Sequence, residues 1–135
     1  MATQTFEDLD VWKRGCRQAV AFCRLIQEWR NCALRDQMTR ASVSVPSNIA
    51  EGHERDSDGD FRRFLRIAKG SNAELRTQLY IASQLDLIPE ASRTSLVTES
   101  KFSADTVGHL QQIALANIHP DQLHLTRFQH FPTET

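Results

Sequence analysis

FRRFLRIAKGSNAELRTQLYIASQL, residues 61–85, is the clearest structural signal in the chain. Phe61, Phe64, Ala68, Ser71, Leu75, Gln78, Ala82 and Leu85 recur at spacings of three and four, so a helix places them on one seam. Leu65, Asn72 and Leu79 flank it. The pattern predicts a helix that ends near Asp86, with Leu87-Ile88-Pro89 as the following turn. Just ahead, Asp56-Ser57-Asp58-Gly59-Asp60 reads as a break and a helix start. Ser57 suits the cap, Asp60 at the third helical position can reach back as a capping box, and Asp58 and Asp60 suit the positive end of the helix dipole.

Upstream, residues 34–54 predict another helix, with Leu34, Met38, Ala41, Val45 and Ile49 on its apolar side. Its middle is rich in small residues: Ala41, Ser42, Ser44, Ser47, Ala50 and Gly52. Small side chains let a second helix approach closely. Pro46 lies inside this pattern, where it removes a backbone donor and crowds the carbonyl four residues back. The expectation is a kink, or two short helices meeting at Ser44–Pro46, with the Ser42 and Ser44 hydroxyls available to the freed carbonyl.

The first helix starts near Asp8 or Leu9, and Leu9, Trp12, Cys16, Ala19, Cys23 and Ile26 form its seam. Val11, Phe22, Leu25 and Trp29 make a second apolar strip, which marks them as candidate oligomer contacts or as the edge of a wide core stripe. Arg30-Asn31-Cys32-Ala33 is a connection short enough to join antiparallel neighbours. A fourth, weaker helix runs from about Pro89 to Asn117, its broken stripe supplied by Leu96, Val97, Val107, Leu110 and Ile113. Four helices, short connections and no strand signal predict an all-α, up-and-down four-helix bundle over residues 1–118. Residues 119–135 have no period and read as an irregular tail holding His119, His124 and His130.

The chain has 135 residues, one ordinary domain with room for a real core. Sixteen Lys+Arg against seventeen Asp+Glu argue against an obligate, highly basic nucleic-acid binder. Three cysteines without a CxxC read as small apolar residues in a reducing cytoplasm. No basic-then-apolar leader opens the chain, and no apolar run approaches the ~20 residues that span a bilayer, so no membrane partner is expected.

SVPSNIAEG, from Ser44 to Gly52, resembles the signature of the four helix bundle protein family. Some members of that family are encoded by intervening sequences in bacterial large-subunit ribosomal RNA genes. The resemblance extends to Phe6, Leu9, Val11 and Trp12, to Leu34, Gln37 and Arg40, and to Ser57, Phe61, Phe64, Leu65, Ala68, Gly70-Ser71, Glu74-Leu75, Gln78-Leu79 and Ala82. It covers roughly Phe6 to Ile118. The resemblance implies a bundle that assembles into a ring-like homopentamer and implies no known catalysis. A related branch, the accessory proteins of diversity-generating retroelements, is markedly basic, contacts a reverse transcriptase and binds nucleic acid. This chain is near neutral.

Candidate chemistry is sparse. No nucleophile elbow, P-loop or dinucleotide fingerprint occurs, and neither Glu51 nor Glu74 begins the Glu-x-x-His pair of a di-iron bundle. The residues 56–60 open like a calcium loop but lack the remaining ligands. The expectation is therefore no enzyme, no cofactor and no metal. Asn48, Glu51, Glu74 and Gln78, with Arg40 nearby, read as a structural polar cluster at a helix seam or as plain exposed residues. Arg55, Arg62, Arg66, Lys69 and Arg76 read as one stripe on the third helix, and Lys13, Arg17 and Arg24 as a shorter one on the first. Each is either a solvated or interface face or a set of phosphate contacts to RNA or DNA.

Overall fold

The computed structural model describes residues 5–115. A single 3-10 turn, Phe6–Asp8, leads into four α-helices: α1 Asp10–Ile26, α2 Cys32–Glu54, α3 Asp58–Gln84 and α4 Glu90–Leu115. Among the described residues there is no strand. Each helix packs on the next, and α4 returns to α1, which closes the bundle. The expected tail, 119–135, and the last residues of the expected fourth helix lie outside the described residues.

Local chemistry sets the helix ends. The Asn31 side chain accepts from the Leu34 N–H at 3.1 Å, and the Ser57 hydroxyl accepts from the Asp60 N–H at 3.1 Å, so α2 and α3 each begin on a side-chain cap. The Asp60 carboxylate lies 3.9 Å from Arg63. At the far end of α3 the Leu87 N–H reaches the Ala82 carbonyl (2.9 Å) and the Asp86 N–H the Ser83 carbonyl (3.1 Å). Asp86, at φ 57°, takes the left-handed position of this closing motif, and Asp56, at φ 54°, takes the equivalent place after α2. Aspartate tolerates this conformation better than most side chains.

The core is two apolar clusters with a polar layer between them. Leu9, Val11, Val45, Ile49, Phe61, Leu65, Ala68 and Val107 fill one end. Phe22, Ile26, Met38, Ala41, Leu75, Leu79, Ala82, Ile88 and Val97 fill the other. Between them in sequence on their helices lie Gln18, Asn72 and Ser100, exposed by only 6, 0 and 0%.

Several expectations change here. The two apolar strips of α1 are one wide core face: Val11 and Phe22 are buried within the chain's own clusters, and Leu25 and Trp29 pack against them. They are therefore not a spare oligomer surface, because a bundle helix flanked by two neighbours needs apolar contact on both sides. On α3, Ser71 is only half-buried and Leu85 is exposed, whereas the flanking Asn72 is in the core. α2 runs unbroken through Pro46. The proline ring is buried against α1 at Gly15, where an added Cβ would sit 3.3 Å from Pro46 Cβ. The Ser42 hydroxyl donates to the Thr39 carbonyl at 2.9 Å, and Ser44 is engaged with α3, so neither serves the carbonyl that Pro46 frees. Gly52 brings α2 against α3: a Cβ there would lie 2.6 Å from Phe64 Cβ.

Candidate functional site

The motif residues of α2 and the polar residues of α3 meet on one outward face. Ser44 Oγ and Ser71 Oγ are 2.8 Å apart and bridge the two helices. The Asn48 amide donates to the Ser44 carbonyl (2.7 Å) and to its hydroxyl oxygen (2.8 Å). Gln78 Nε2 donates to Glu74 Oε1 at 3.4 Å, and Arg55 donates to Glu51 at 2.9 Å. The structure does not bury this set as a cluster: Arg40, Glu51 and Glu74 are exposed, Asn48 is half-buried, and Gln78 alone is buried, at 4%. The reason is angular. α2 and α3 pack through Val45, Ile49, Phe64, Ala68 and Leu75, and the polar positions lie about 60–140° around each helix from that contact. Arg40 pairs with no carboxylate among the described residues.

Ile67 and Ile81 stand on this side of α3, each 45% exposed, and Gly70 has open space above it; Val43, 46% exposed, instead lines a hollow between α1 and α2 with Val20 and Arg24. The face thus has a small polar floor between α2 and α3 and apolar side chains on its α3 side.

The buried polar network lies on the other side of α3. Asn72 Nδ2 donates to the Ser100 carbonyl at 2.8 Å, the Ser100 hydroxyl donates to Asn72 Oδ1 at 2.6 Å, and Gln18 Nε2 reaches the same oxygen at 3.5 Å. It ties α1, α3 and α4 together at one level. Sequence reading missed it, although the signal exists: Gln18 lies seven residues after the core Val11, at an apolar register position, and Asn72 interrupts the apolar run of α3. An Arg14–Glu99 ion pair also joins α1 to α4.

The basic stripe is divided. Arg55 caps α2 rather than belonging to α3, because the chain reverses at Asp56. Its guanidinium lies 5.0 Å from the Phe64 ring centroid, and that of Arg63 lies 4.9 Å from it. Arg62, Arg66, Lys69 and Arg76 do share one flank of α3, towards α4. Arg76 donates to the Ser100 carbonyl at 3.5 Å, and Lys69 Nζ would be 3.8 Å from a Cβ on Gly108. On α1, Lys13, Arg17 and Arg24 are exposed with Val20 between them, and none pairs with a carboxylate among the described residues.

Cys16, Cys23 and Cys32 are free thiols, and burial pushes the Cys16 thiol above its ordinary value. No group of three or more His, Cys, Asp or Glu side chains among the described residues is placed to hold a metal ion. His119, His124 and His130 lie outside the described residues. No described helix is long and apolar enough to cross a membrane.

No curated protein matches the chain. Among solved structures, it is similar to a protein of unknown function from the S23 ribosomal protein family of Bacteroides thetaiotaomicron. The two share 21% identity with a TM-score of 0.71, covering 76% of this chain and 98% of that one, a likeness of fold. The family model described as 23S rRNA-intervening sequence protein matches residues 7–105, from the turn before α1 to well inside α4. That span takes in the SVPSNIAEG motif and the α3 positions that face it, and the chain belongs to the 23S rRNA-intervening sequence protein family.

Proposed function

We propose that the protein is a non-catalytic scaffold of the cytoplasm that works as a ring-like homopentamer. The observation that carries this reading is the α2–α3 face. Its two large apolar side chains, Ile67 and Ile81, are nearly half exposed beside a floor of serine and glycine. A lone bundle gains nothing from leaving such side chains in water, and contiguous exposed apolar surface marks contact sites. Cyclic closure uses a head-to-tail contact repeated around the ring. Light scattering after size exclusion, at micromolar protein, tests it: the expected mass is about five chains per particle. A single-chain mass removes the reading.

A second reading, a nucleic-acid-binding accessory protein, rests on the α3 flank next to α4, where Arg66 and Lys69 are exposed. The family's description also ties it to 23S rRNA. Changing Arg66 and Lys69 to Ala would then weaken binding to RNA and DNA of any sequence and flatten the salt slope, because backbone contacts release counterions without reading bases. Fluorescence anisotropy at two salt concentrations measures this. No binding at about 0.1 M salt, where exposed charges beyond ~10 Å are screened, leaves the scaffold reading alone.

A further inference from the structure

The cations of the bundle divide by what stands beside them. Arg14, Arg35, Arg55, Arg63 and Arg93 each have a carboxylate next to them. Arg66, Lys69 and Arg76 on α3 and Lys101 on α4 have none among the described residues. These four share one side of the molecule. Lys69 Nζ would lie 3.8 Å from a Cβ on Gly108, and Lys101 precedes Gly108 by seven residues, two turns back on the same side of α4. Arg76 follows Lys69 by seven residues and donates to the Ser100 carbonyl of α4 at 3.5 Å. By register, Asp58 at the start of α3 and Asp105 on α4 fall on this side too, and they are too few to neutralise it.

Tyr80 extends the line. It lies one turn beyond Arg76 and is the chain's only tyrosine. The Arg93 guanidinium of α4 is 5.6 Å from its ring centroid, and Glu90 holds Arg93 at 3.2 Å. The ring is nonetheless 47% exposed. A cation over an aromatic ring fixes its place and leaves its other side free. An open aromatic at the end of a row of unpaired cations suits a strand whose bases are unpaired: phosphates meet the cations and a base stacks on the ring. A duplex would use the cations but keeps its bases stacked on one another, so it offers the ring nothing. Resting on the nucleic-acid reading above, we propose that the α3–α4 flank binds single-stranded nucleic acid. The phosphates run along Arg66, Lys69, Arg76 and Lys101, and one base stacks on Tyr80. From Arg66 to Tyr80 the helix rises about 21 Å, a reach that suits a site of several nucleotides.

Fluorescence anisotropy on the full-length chain tests this with labelled oligouridylate, oligothymidylate and a mixed-sequence DNA duplex, each about 12 units long. Circular dichroism confirms that each variant keeps its helices. Both single strands should bind more tightly than the duplex; a difference between them tells RNA from DNA as the preferred source. Y80L should weaken single-strand binding about tenfold, the worth of one stacked base, and Y80F should bind as the wild type does. Duplex binding and the salt slope should not change in Y80L, because no phosphate contact is lost. Fluorotyrosine in place of the one tyrosine gives a single fluorine resonance, which should shift on adding oligothymidylate and stay still with the duplex. A Y80L variant that binds single strands like the wild type, or a resonance that does not move, overturns the stacking and leaves the backbone-contact reading standing. Duplex binding as tight as single-strand binding does the same. Equal losses for duplex and single strands in Y80L would assign Tyr80 to the fold and also reject the proposal. Absence of binding to every probe at low salt removes both the inference and the reading beneath it.

Discussion

Ser71 and Asn72 are neighbours in the chain but stand on opposite flanks of α3. Asn72 is fully buried and closes a network with Ser100 and Gln18; Ser71 reaches outward to Ser44 beside a groove open to solvent. One residue turns a helix by about 100°, which is enough to separate the inside of a bundle from its surface. The inner group is satisfied wholly within the chain, and it splits the core into two apolar ends. The outer group is satisfied only in part, and half-exposed Ile67 and Ile81 stand beside it. Buried polar groups of the first kind hold helices in register. Surfaces of the second kind are the ones open to contact from outside the chain. The contrast divides the polar residues of this protein into those that specify the fold and those that use it.

The sharpest reference for that contrast is the apolar core itself. Leu75 is fully buried one turn beyond Asn72. Leu75→Ala should destabilise the protein by about 2–5 kcal/mol, the lost transfer energy plus a cavity that rigid helices cannot collapse. Urea denaturation at a fixed protein concentration reads it, since association would otherwise shift the midpoint. Asn72→Ala should come next, at about 1–3 kcal/mol, because the Ser100 hydroxyl and the Gln18 amide lose their shared acceptor in a place water does not reach. The comparison breaks if Asn72→Ala changes the midpoint no more than a surface substitution does.

Much of this was legible in the sequence. The 3.6-residue period placed four helices, and the cap at Ser57 is visible as a residue type just ahead of an apolar run, whereas Asn31 read only as part of a connection and turns out to cap a helix that starts two residues early. Membership of the family was legible in SVPSNIAEG and in the α3 positions that face it. What sequence reading lost was direction. A three-four seam drifts around a long helix, so Ser71 and Leu85 fit the count and still miss the core, whereas Asn72 fits as a flank and fills it. Arg55 joined the α3 stripe only by continuing one helix across the turn at Asp56, where the backbone reverses. The apparent surplus on α1 dissolved because a helix between two neighbours needs both strips, as buried Val11 and Phe22 show. Pro46 broke nothing: a proline ring packed on Gly15 gains contact from its neighbour helix, which a count of local hydrogen bonds does not see.

The smallest effect on stability belongs to the outer group, and it is the most telling. Asn48 is half-buried, and its amide bonds only to Ser44, one turn away on its own helix. Asn48→Ala removes those bonds where water can replace them, so the folding stability of the chain should move by no more than about 0.5 kcal/mol. The inner and outer sites then differ severalfold in stability although both substitutions delete a carboxamide. If this face meets the next copy in the proposed assembly, the same substitution takes a polar edge from the contact, and the assembly should dissociate at a higher protein concentration than the wild type. Asn72→Ala should behave in the opposite way, loosening the fold while any chains that remain folded assemble as before, because Asn72, Ser100 and Gln18 are themselves buried within the chain. Sedimentation across a dilution series, paired with urea curves for both variants, separates the two responses. A crossed result, with Asn48→Ala lowering stability as much as Asn72→Ala and leaving assembly untouched, would mean that the outer residues serve the fold after all.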